Sequence, residues 1–242
     1  MKLSAPIYRL KRTARQQARK QGIALNQALD ALAGKEGYQS WSHLSQSWAK
    51  SHPARRLLDR LQDGQLVLLA ARAGHGKTSL GLDLAIEAVL SRRTAWFFTL
   101  AYSDSEVRSV LAAQPADRAE AATKITLDCS DEISAPHMME RLGNAPAGTL
   151  VVVDYLQLLD QRRDLPALQE QLEALHHFAR QHRITLIMIS QVDRAFDQGD
   201  QDMPGLSDIR LPNPLDLALF DQAVFLHNGQ MTLTPVQDHA VS

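Results

Sequence analysis

The sequence predicts an α/β fold with a mostly parallel central sheet, preceded by a small helical module. Three short runs, 66–70, 150–153 and 185–189, are almost continuously apolar. Stretches with helical spacing of apolar residues separate them, which is typical of parallel strands joined by helices that cover both faces of a sheet. A hydrophobic content of 45% over 242 residues is sufficient for one such core plus a small appendage.

The first fifty residues instead show three helical segments. Apolar residues recur at helical spacing over 10–18, and a second helix is predicted over 26–33, ended by glycines 34 and 37. A third helix is expected to begin near Tyr38 and Trp41, with Ser40 as its N-cap. With 51–53 as the linker, we predict a basic helical module at 1–52 and an α/β domain at 53–242.

The other elements of the α/β domain alternate in type. Further strands are predicted at 94–100, 124–127, 222–226 and 230–233, and helices at 78–90, 105–112, 136–142 and 165–182. Asn228-Gly229 lies between the last two strands and is a strong signal for a two-residue hairpin turn.

Charge is distributed unevenly along the chain. Residues 1–56 contain eleven Lys or Arg and two acidic residues, a net charge of +9, whereas the remainder has a net charge of −10. This asymmetry favours a contact between 1–56 and nucleic acid, single-stranded DNA or an acidic DNA-processing protein. The alternative is a solvated helix face close to the protein's own acidic body.

Composition also bears on the compartment. The single cysteine, Cys129, excludes an intramolecular disulfide and a cysteine-based zinc cluster and fits a reducing environment. No apolar run is long enough to span a bilayer, and the basic N-terminus lacks the apolar stretch of a signal peptide. We therefore expect a cytoplasmic protein with no membrane contact.

A glycine-containing loop follows the first strand and opens a helix, which is the context that a phosphate-binding P-loop requires. Gly74 and Gly76 allow the backbone N–H groups to point inward, Lys77 can reach the β- and γ-phosphates of ATP, and Thr78 can bind Mg²⁺. The predicted nucleotide-binding residues are Ala71, Arg72, Ala73, Gly74, His75, Gly76, Lys77, Thr78 and Ser79. The alternative is an ordinary glycine-rich turn, but it would not explain why Lys77 and Thr78 stand at the start of the following helix.

Two polar residues end other strands. Asp154 follows the run 150–153, where a carboxylate can hold Mg²⁺ or its water shell, although a structural aspartate with a partner is the alternative. Gln191 follows the strand at 185–189 and can sense the γ-phosphate, whereas a simple strand-end cap is equally compatible with the spacing. Asp154 and Gln191 are the candidate catalytic residues.

These motifs resemble the RecA-like P-loop ATPase domain of DnaB-type replicative helicases. Similar segments occur in the family's order over about 57–229: the Ala-Arg start of the loop at 71–72, Asp-Tyr-Leu-Gln at 154–157, Ser-Gln-Val-Asp-Arg at 190–194 and Ser-Asp-Ile-Arg at 207–210. The resemblance implies a RecA-like fold, ATP and Mg²⁺ as ligands, movement on single-stranded DNA and a homo-oligomeric, usually hexameric, ring.

Two departures from this family concern hydrolysis. The family's water-activating glutamate corresponds to Ala101 in Thr99-Leu100-Ala101-Tyr102, and Glu106 lies about one helical turn further on. The family also places a lysine and an arginine finger near its C-terminus, but no Lys or Arg follows Arg210. We expect an ATP-binding protein with weak or partner-dependent hydrolysis; the alternative is a non-hydrolysing regulator or scaffold of a DNA-replication or mobile-element partner.

The N-terminal segment is similar to a small helical module associated with the glyoxalase superfamily. The similarity rests on Leu10-Lys11-Arg12, Gly22-Ile23 and Gly37-Tyr38 with Trp41. Only His43 and His52 could serve there as metal ligands, so we infer no glyoxalase chemistry.

Overall fold

The N-terminal helices form around small residues that permit close packing. The computed structural model describes residues 4, 7–51, 53–160, 165–199, 201–211 and 213–236. It divides into two units, Met1–Arg56 and Leu57–Ser242, so this division falls four residues after the boundary that the sequence suggests. In the first unit, α1 (Ile7–Gln21) and α2 (Leu25–Lys35) pack through Ala14, Ala28 and Leu32.

The third helix, α3 (Trp41–Ser51), begins where the sequence predicts. The Ser40 hydroxyl accepts a hydrogen bond from the His43 backbone N–H at 3.1 Å, which confirms the N-cap. Gly34 does not end α2, because the helix continues through it to Lys35, and Gly37 adopts a left-handed φ of 84°. Of the predicted linker, His52 lies outside the described residues, Ser51 belongs to α3, and Pro53 begins a short helix, α4 (Pro53–Leu58).

The second unit is built on one seven-stranded sheet. The strands are β1 (Leu66–Ala71), β2 (Ala95–Thr99), β3 (Thr126–Asp128), β4 (Leu150–Asp154), β5 (Thr185–Gln191), β6 (Gln222–His227) and β7 (Gln230–Pro235). Their order is β3-β2-β4-β5-β1-β6-β7, and only the β6–β7 pair is antiparallel. The predicted hairpin is confirmed, with Asn228 and Gly229 both at positive φ.

Within the part of this unit that the structure describes, five further α-helices connect the strands or flank them. They are α5 (Lys77–Leu90), α6 (Asp104–Ala112), α7 (Ala116–Ala122), α8 (Ala135–Leu142) and α9 (Leu168–His182). Short 3-10 helices occupy Leu156–Asp160, Arg194–Gln198, Leu206–Asp208 and Leu217–Leu219. None of the helices among the described residues is long and apolar enough to cross a membrane.

The strands alternate their side chains between two apolar layers. Val151, Val153 and Met188 face the cluster that contains residues of α8 and α9. On the other face, α5 lies very close to the sheet, because a Cβ at Gly81 would be 2.8 Å from Ile189 Cδ1 and 3.0 Å from Val152 Cγ1. This close approach sets α5, and therefore the loop before it, against the centre of the sheet.

Candidate nucleotide-binding site

The predicted site residues meet at the carboxyl edge of the sheet. Ala71 at the end of β1 is in register with Gln191 of β5, and Asp154 of β4 is in register with Ile189 on one side and Thr99 of β2 on the other. Parallel strands end at the same edge, which is where ligands bind in open α/β sheets. The strand order thus brings the loop, Asp154 and Gln191 together from segments that are far apart in sequence.

The loop between β1 and α5 has the backbone of a phosphate cradle. Gly74 and Gly76 have φ values of 81° and 83°, a left-handed conformation that favours glycine. A Cβ at either position would meet nothing within 4 Å, so the backbone conformation, and not crowding, is what favours glycine. Gly76 precedes Lys77 as the N-cap, which leaves the first N–H groups of α5 without a capping side chain. Uncapped N–H groups at a helix N-terminus attract anions.

Asp154, Thr78 and Lys77 form the charged centre of the site. Asp154 is only 2% exposed, and Thr78 and Lys77 lie close enough to its carboxylate to influence its pKa. Burial raises the pKa of Asp154, although the Thr78 hydroxyl and the Lys77 charge oppose this shift. Burial lowers the pKa of Lys77; the Asp154 charge opposes that shift and Arg72 reinforces it.

These groups fit a magnesium ion. The Oδ2 atom of Asp154 is buried and has no hydrogen-bond partner, so it is a carboxylate oxygen available to a cation or to its bound water. Mg²⁺ uses one or two protein oxygens and completes its octahedron with water and phosphate. Thr78 and Asp154 would supply those contacts, and the described residues contain no cluster of three or more His, Cys, Asp or Glu.

Gln191 is half-buried beside the loop and is tied to later segments through its backbone. Its carbonyl accepts a hydrogen bond from the Arg210 N–H at 2.8 Å, and the following Val192 N–H donates to the Ala71 carbonyl at 3.0 Å. Gln157 reinforces this connection, since its amide donates to Ser190 Oγ at 3.0 Å and to the Arg210 carbonyl at 2.8 Å. The sequence places Gln157 and Arg210 in family-like motifs but does not predict that they contact each other and the end of β5.

Arg72 points away from the cradle. Its guanidinium donates to Asp197 through Nε (3.0 Å) and NH2 (2.7 Å), and to the Val192 carbonyl at 3.1 Å. The hydrogen bonds to Asp197 raise the pKa of Arg72, and those from Arg72 lower the pKa of Asp197. The side chain of Arg72 therefore links the loop to the segment after β5.

His75, at the tip of the loop, also makes a contact that the sequence does not predict. Its ring stacks on His227 at 5.0 Å between centroids, with an interplanar angle of 17°, and its Nδ1 accepts the Asn228 N–H at 3.4 Å. Phe196 meets His227 edge-on at 5.2 Å. The tip of the loop thus rests on the turn between β6 and β7.

No carboxylate lies at position 101, which corresponds to the water-activating glutamate of the family that the motifs resemble. Ala101 is exposed, and its N–H donates to Thr99 Oγ1 at 3.1 Å. Glu106 caps α6 instead, since its Oε2 accepts the Ser103 N–H at 2.8 Å and the Ser103 hydroxyl at 2.7 Å. These hydrogen bonds lower the pKa of Glu106, which makes it a weaker base.

The fold is that of the RecA-like ATPase domains within the α/β class. Two solved structures have a TM-score of 0.58 with this chain. One is described as an ATPase domain, is 22% identical, and covers 72% of this chain and 74% of that chain. The other, titled as a DnaB-like replicative helicase and its interactions with primase, is 16% identical and covers 94% of this chain and 73% of that chain. At these identities the likeness concerns the fold alone.

The sequence comparisons point to the same group. Residues 114–217 match the family described as the DnaB-like helicase C-terminal domain. The replicative DNA helicase DnaB of Leifsonia xyli subsp. xyli is 26% identical over 202 residues, which cover 71% of this chain and 44% of that protein. The chain thus spans less than half the length of this relative. The resemblance of the α/β unit to DnaB-type ATPase domains is confirmed, and that of residues 1–52 to the glyoxalase-associated module stays a prediction.

Proposed function

We propose that the α/β unit binds Mg²⁺–ATP at the loop 71–79 and acts on DNA as a DnaB-like ATPase with weak or partner-dependent hydrolysis. One observation carries the proposal: Lys77, Thr78 and the buried Asp154, with its unpaired Oδ2, converge at the carboxyl edge of the sheet beneath an uncapped helix N-terminus. Phosphates bind where hydrogen-bond donors and positive charge meet. Here the N-terminus of α5 offers N–H groups, Lys77 offers a cation, and Thr78 and Asp154 would hold Mg²⁺.

Each residue has a separable task in this proposal. The loop N–H groups and Lys77 neutralise and orient the phosphates, while Thr78 and Asp154 hold Mg²⁺, which would stabilise charge on the phosphate oxygens. Gln191 lies next to the loop, so a change at the γ-phosphate can pass through its backbone to Arg210. Ala101 has no side-chain group that could orient and deprotonate the attacking water.

Lys77→Ala is expected to abolish binding of a fluorescent ATP analogue, measured by anisotropy, because the ammonium group is the side-chain cation aimed at the phosphates. Lys124→Ala is the matched control, since Lys124 is exposed between α7 and β3, and it should bind like the wild type. Unchanged affinity in Lys77→Ala would contradict the assignment.

The second candidate is a non-hydrolysing ATP-binding regulator or scaffold. It is favoured by Ala101 and by the absence of Lys and Arg after Arg210 in the sequence, because an arginine finger is typically worth about 10³–10⁵ in turnover. Steady-state ATPase activity, measured with and without single-stranded DNA at several protein concentrations, separates the two. Stimulation by DNA or by concentration supports the ATPase, and ATP binding without turnover under every condition supports the regulator.

We further propose that DNA, or a DNA-processing protein, is contacted through residues 1–56 and that the chain assembles with copies of itself. The +9 charge of this segment supports the first part. The similarity of the α/β unit to a DnaB helicase domain supports the second part.

A further inference from the structure

The sheet ends at β7, whose outer edge has no partner strand among the described residues. The strand contains no Lys, Arg, Asp or Glu over its six residues, and it pairs with β6 in a continuous register without a bulge. Proteins usually protect an exposed strand edge with charged side chains, bulges or proline, because its free backbone groups can pair with another chain. Only Pro235, at the end of β7, is a residue of this kind. The rest of the edge is open to a further strand.

The register with β6 determines which backbone groups of β7 point outward. In a two-residue antiparallel hairpin, the residues that flank the turn exchange hydrogen bonds, and this bonding recurs at every second residue. The Val236 N–H donates to the Asp221 carbonyl at 3.2 Å, as the alternation requires. The N–H and C=O groups of Met231 and Leu233 therefore point away from β6, towards the open edge. Pro235 shares this orientation but has no N–H to offer.

The side chains of Met231 and Leu233 form the unfinished end of an apolar layer. Leu233 lies opposite Val224 of β6, and Met231 lies opposite Leu226, so each pair shares a face of the sheet. Val224 and Leu226 are buried, whereas Leu233 and Met231 are only half-buried. A further strand beside β7 would cover them and extend this apolar layer.

We propose that the outer edge of β7 pairs with β7 of a second copy of the chain, antiparallel, about a two-fold axis at Thr232. In this register Met231 of each copy lies opposite Leu233 of the other, and these pairs exchange the outward backbone hydrogen bonds. Thr232 lies opposite its own counterpart, and such Thr–Thr pairs stabilise antiparallel strands. Gln230 lies opposite Thr234. The two sheets become one sheet that is continuous across both copies.

The sequence of β7 favours a second copy as the partner because it is self-complementary about Thr232. From either end, residues 230–234 are polar, apolar, threonine, apolar and polar. In antiparallel self-pairing every side chain therefore meets one of its own kind, and no charge faces a like charge. A two-fold interface requires this property, since the same surface is presented by both subunits.

The contact is expected to be weak. A single strand edge is smaller than the about 1,200–2,000 Å² that stable interfaces bury, so the dimer should form only as the protein concentration rises. The inference rests on the proposed self-assembly and not on ATP binding.

Engineered cysteines test the register in the full chain with Cys129→Ser, which removes the natural thiol. In a non-hydrogen-bonded antiparallel pair the Cα atoms are about 4.5 Å apart, within the range of about 4.4–6.8 Å that a disulfide spans. Thr232→Cys should therefore give a disulfide-linked dimer on mild oxidation, measured by non-reducing electrophoresis. Thr234→Cys is the matched control and should stay monomeric, because Thr234 faces Gln230 and not its own counterpart. Equal cross-linking of the two variants, or none in Thr232→Cys, would overturn this register.

Sedimentation velocity over a range of concentrations measures the pairing without a cross-link. Thr232→Lys should weaken the dimer by more than about tenfold, because like charges would then meet at the axis. Thr232→Asp should do the same. A mixture of the two variants should dimerise again, since opposite charges meet, and this recovery also shows that both variants are folded. A mixture that stays as monomeric as the single variants would contradict the two-fold axis at Thr232.

The pairing of β7 and the proposed function fail independently. A full chain that stays monomeric at every concentration shows that copies do not pair, and leaves the edge to an extended segment of another protein. If copies assemble but Thr232→Lys has no effect, another surface joins them and the inference is wrong. In both cases the fluorescent ATP analogue still reports whether Lys77 binds nucleotide. Conversely, unchanged affinity of Lys77→Ala for the analogue would contradict the ATP site and leave the pairing of β7 intact.

Discussion

At the scale of single residues, Asp154 combines a proposed role in holding Mg²⁺ with a destabilising effect on the folded protein. Its carboxylate is buried with one oxygen unpaired, and burial raises its pKa. A raised folded-state pKa means that the folded protein favours the protonated form more than the unfolded chain does. The ionised form therefore destabilises the ligand-free protein at neutral pH, and this destabilisation disappears as the pH falls through the raised pKa.

We predict that Asp154→Asn stabilises the ligand-free protein while weakening Mg²⁺–ATP binding. Asparagine keeps a polar group in the same buried place but removes the charge whose burial raises the pKa of Asp154, so Tm at neutral pH should rise. Calorimetry across pH measures it, and the advantage over the wild type should shrink towards acidic pH. A variant that is less stable than the wild type at neutral pH would contradict the prediction.

Asp197 provides a control of the opposite sign. The hydrogen bonds from Arg72 lower the pKa of Asp197, so its contribution to stability is present above the ordinary aspartate pKa and is lost as the pH falls through the lowered value. Asp197→Asn should therefore destabilise the protein at neutral pH, and the difference from the wild type should vanish in acid.

Ala101 is the residue at which the chemistry departs from the DnaB pattern. We predict slow intrinsic hydrolysis and an increase in Ala101→Glu, because a carboxylate at the end of β2 can orient and deprotonate water. General-base assistance typically increases the rate by about 10²–10⁴-fold. We expect this increase only if a neighbouring copy of the chain also supplies a cation, for instance its Arg194 or Arg210. Single-turnover hydrolysis of labelled ATP measures it, with Ala101→Gln as the control that cannot take a proton.

Two outcomes would contradict parts of this prediction. Turnover by the wild-type protein alone at the rate of an ordinary helicase would refute slow hydrolysis. No change in Ala101→Glu would instead make the missing arginine finger the dominant defect.

Local sequence places Lys77, Thr78 and Asp154 in the candidate site because each follows a recognisable strand or opens a helix. It does not predict the partners of Arg72 and His75. The bond from Arg72 to Asp197 joins residues 125 positions apart, and the stack of His75 on His227 depends on β6 pairing with β1. Such contacts follow from strand order, which local periodicity does not encode.

At the scale of elements, a charge cluster attaches α7 to α5, the helix that carries the loop. Arg118 of α7 hydrogen-bonds to Asp83 and to Glu87, both on α5. The side chains of Arg118 and Glu87 are 12% and 6% exposed, so each needs its partner. Removing one member of a buried ion pair leaves an uncompensated charge.

We predict that Arg118→Ala lowers stability by about 3–5 kcal/mol, the usual cost of breaking a buried pair. Thermal or urea unfolding measures it. Arg108→Ala is the control, because its bond to Asp104 is exposed on both sides and should change stability by less than about 1 kcal/mol. Similar losses in the two variants would show that the Arg118 cluster is no more important than a surface pair.

The elements that sequence predicts well are long or strongly apolar, and those that it misses are short. The helix α7 covers seven residues without a clear apolar stripe, so periodicity gives no signal. The helix predicted from residue 165 begins at Leu168 instead, because Pro166 restricts the backbone of the residue before it. Gly34 is expected from sequence to end α2, but packing outweighs the modest helix penalty of one glycine.

At the scale of the whole molecule, charge separates the chain into a segment of +9 and a remainder of −10. On α1, Arg12, Arg15 and Arg19 are exposed and lie at helical spacing on one side, opposite the buried Ala14. A polyanion that binds this side releases counterions, so its affinity falls with salt in proportion to the phosphates contacted. The acidic remainder should repel the same ligand.

The combined substitution of Arg12, Arg15 and Arg19 by Gln is therefore expected to weaken binding of single-stranded DNA and to flatten its salt dependence. Each phosphate contact contributes about −0.7 to the slope of log K against log salt for a single strand, so up to about two units should be lost. The control replaces three exposed cations of the α/β unit, Arg92, Arg108 and Lys124, by Gln and removes the same charge. If the two triple variants lose affinity equally, net charge and not the surface of α1 governs DNA binding. If neither variant changes the slope, the exposed arginines of α1 do not contact DNA.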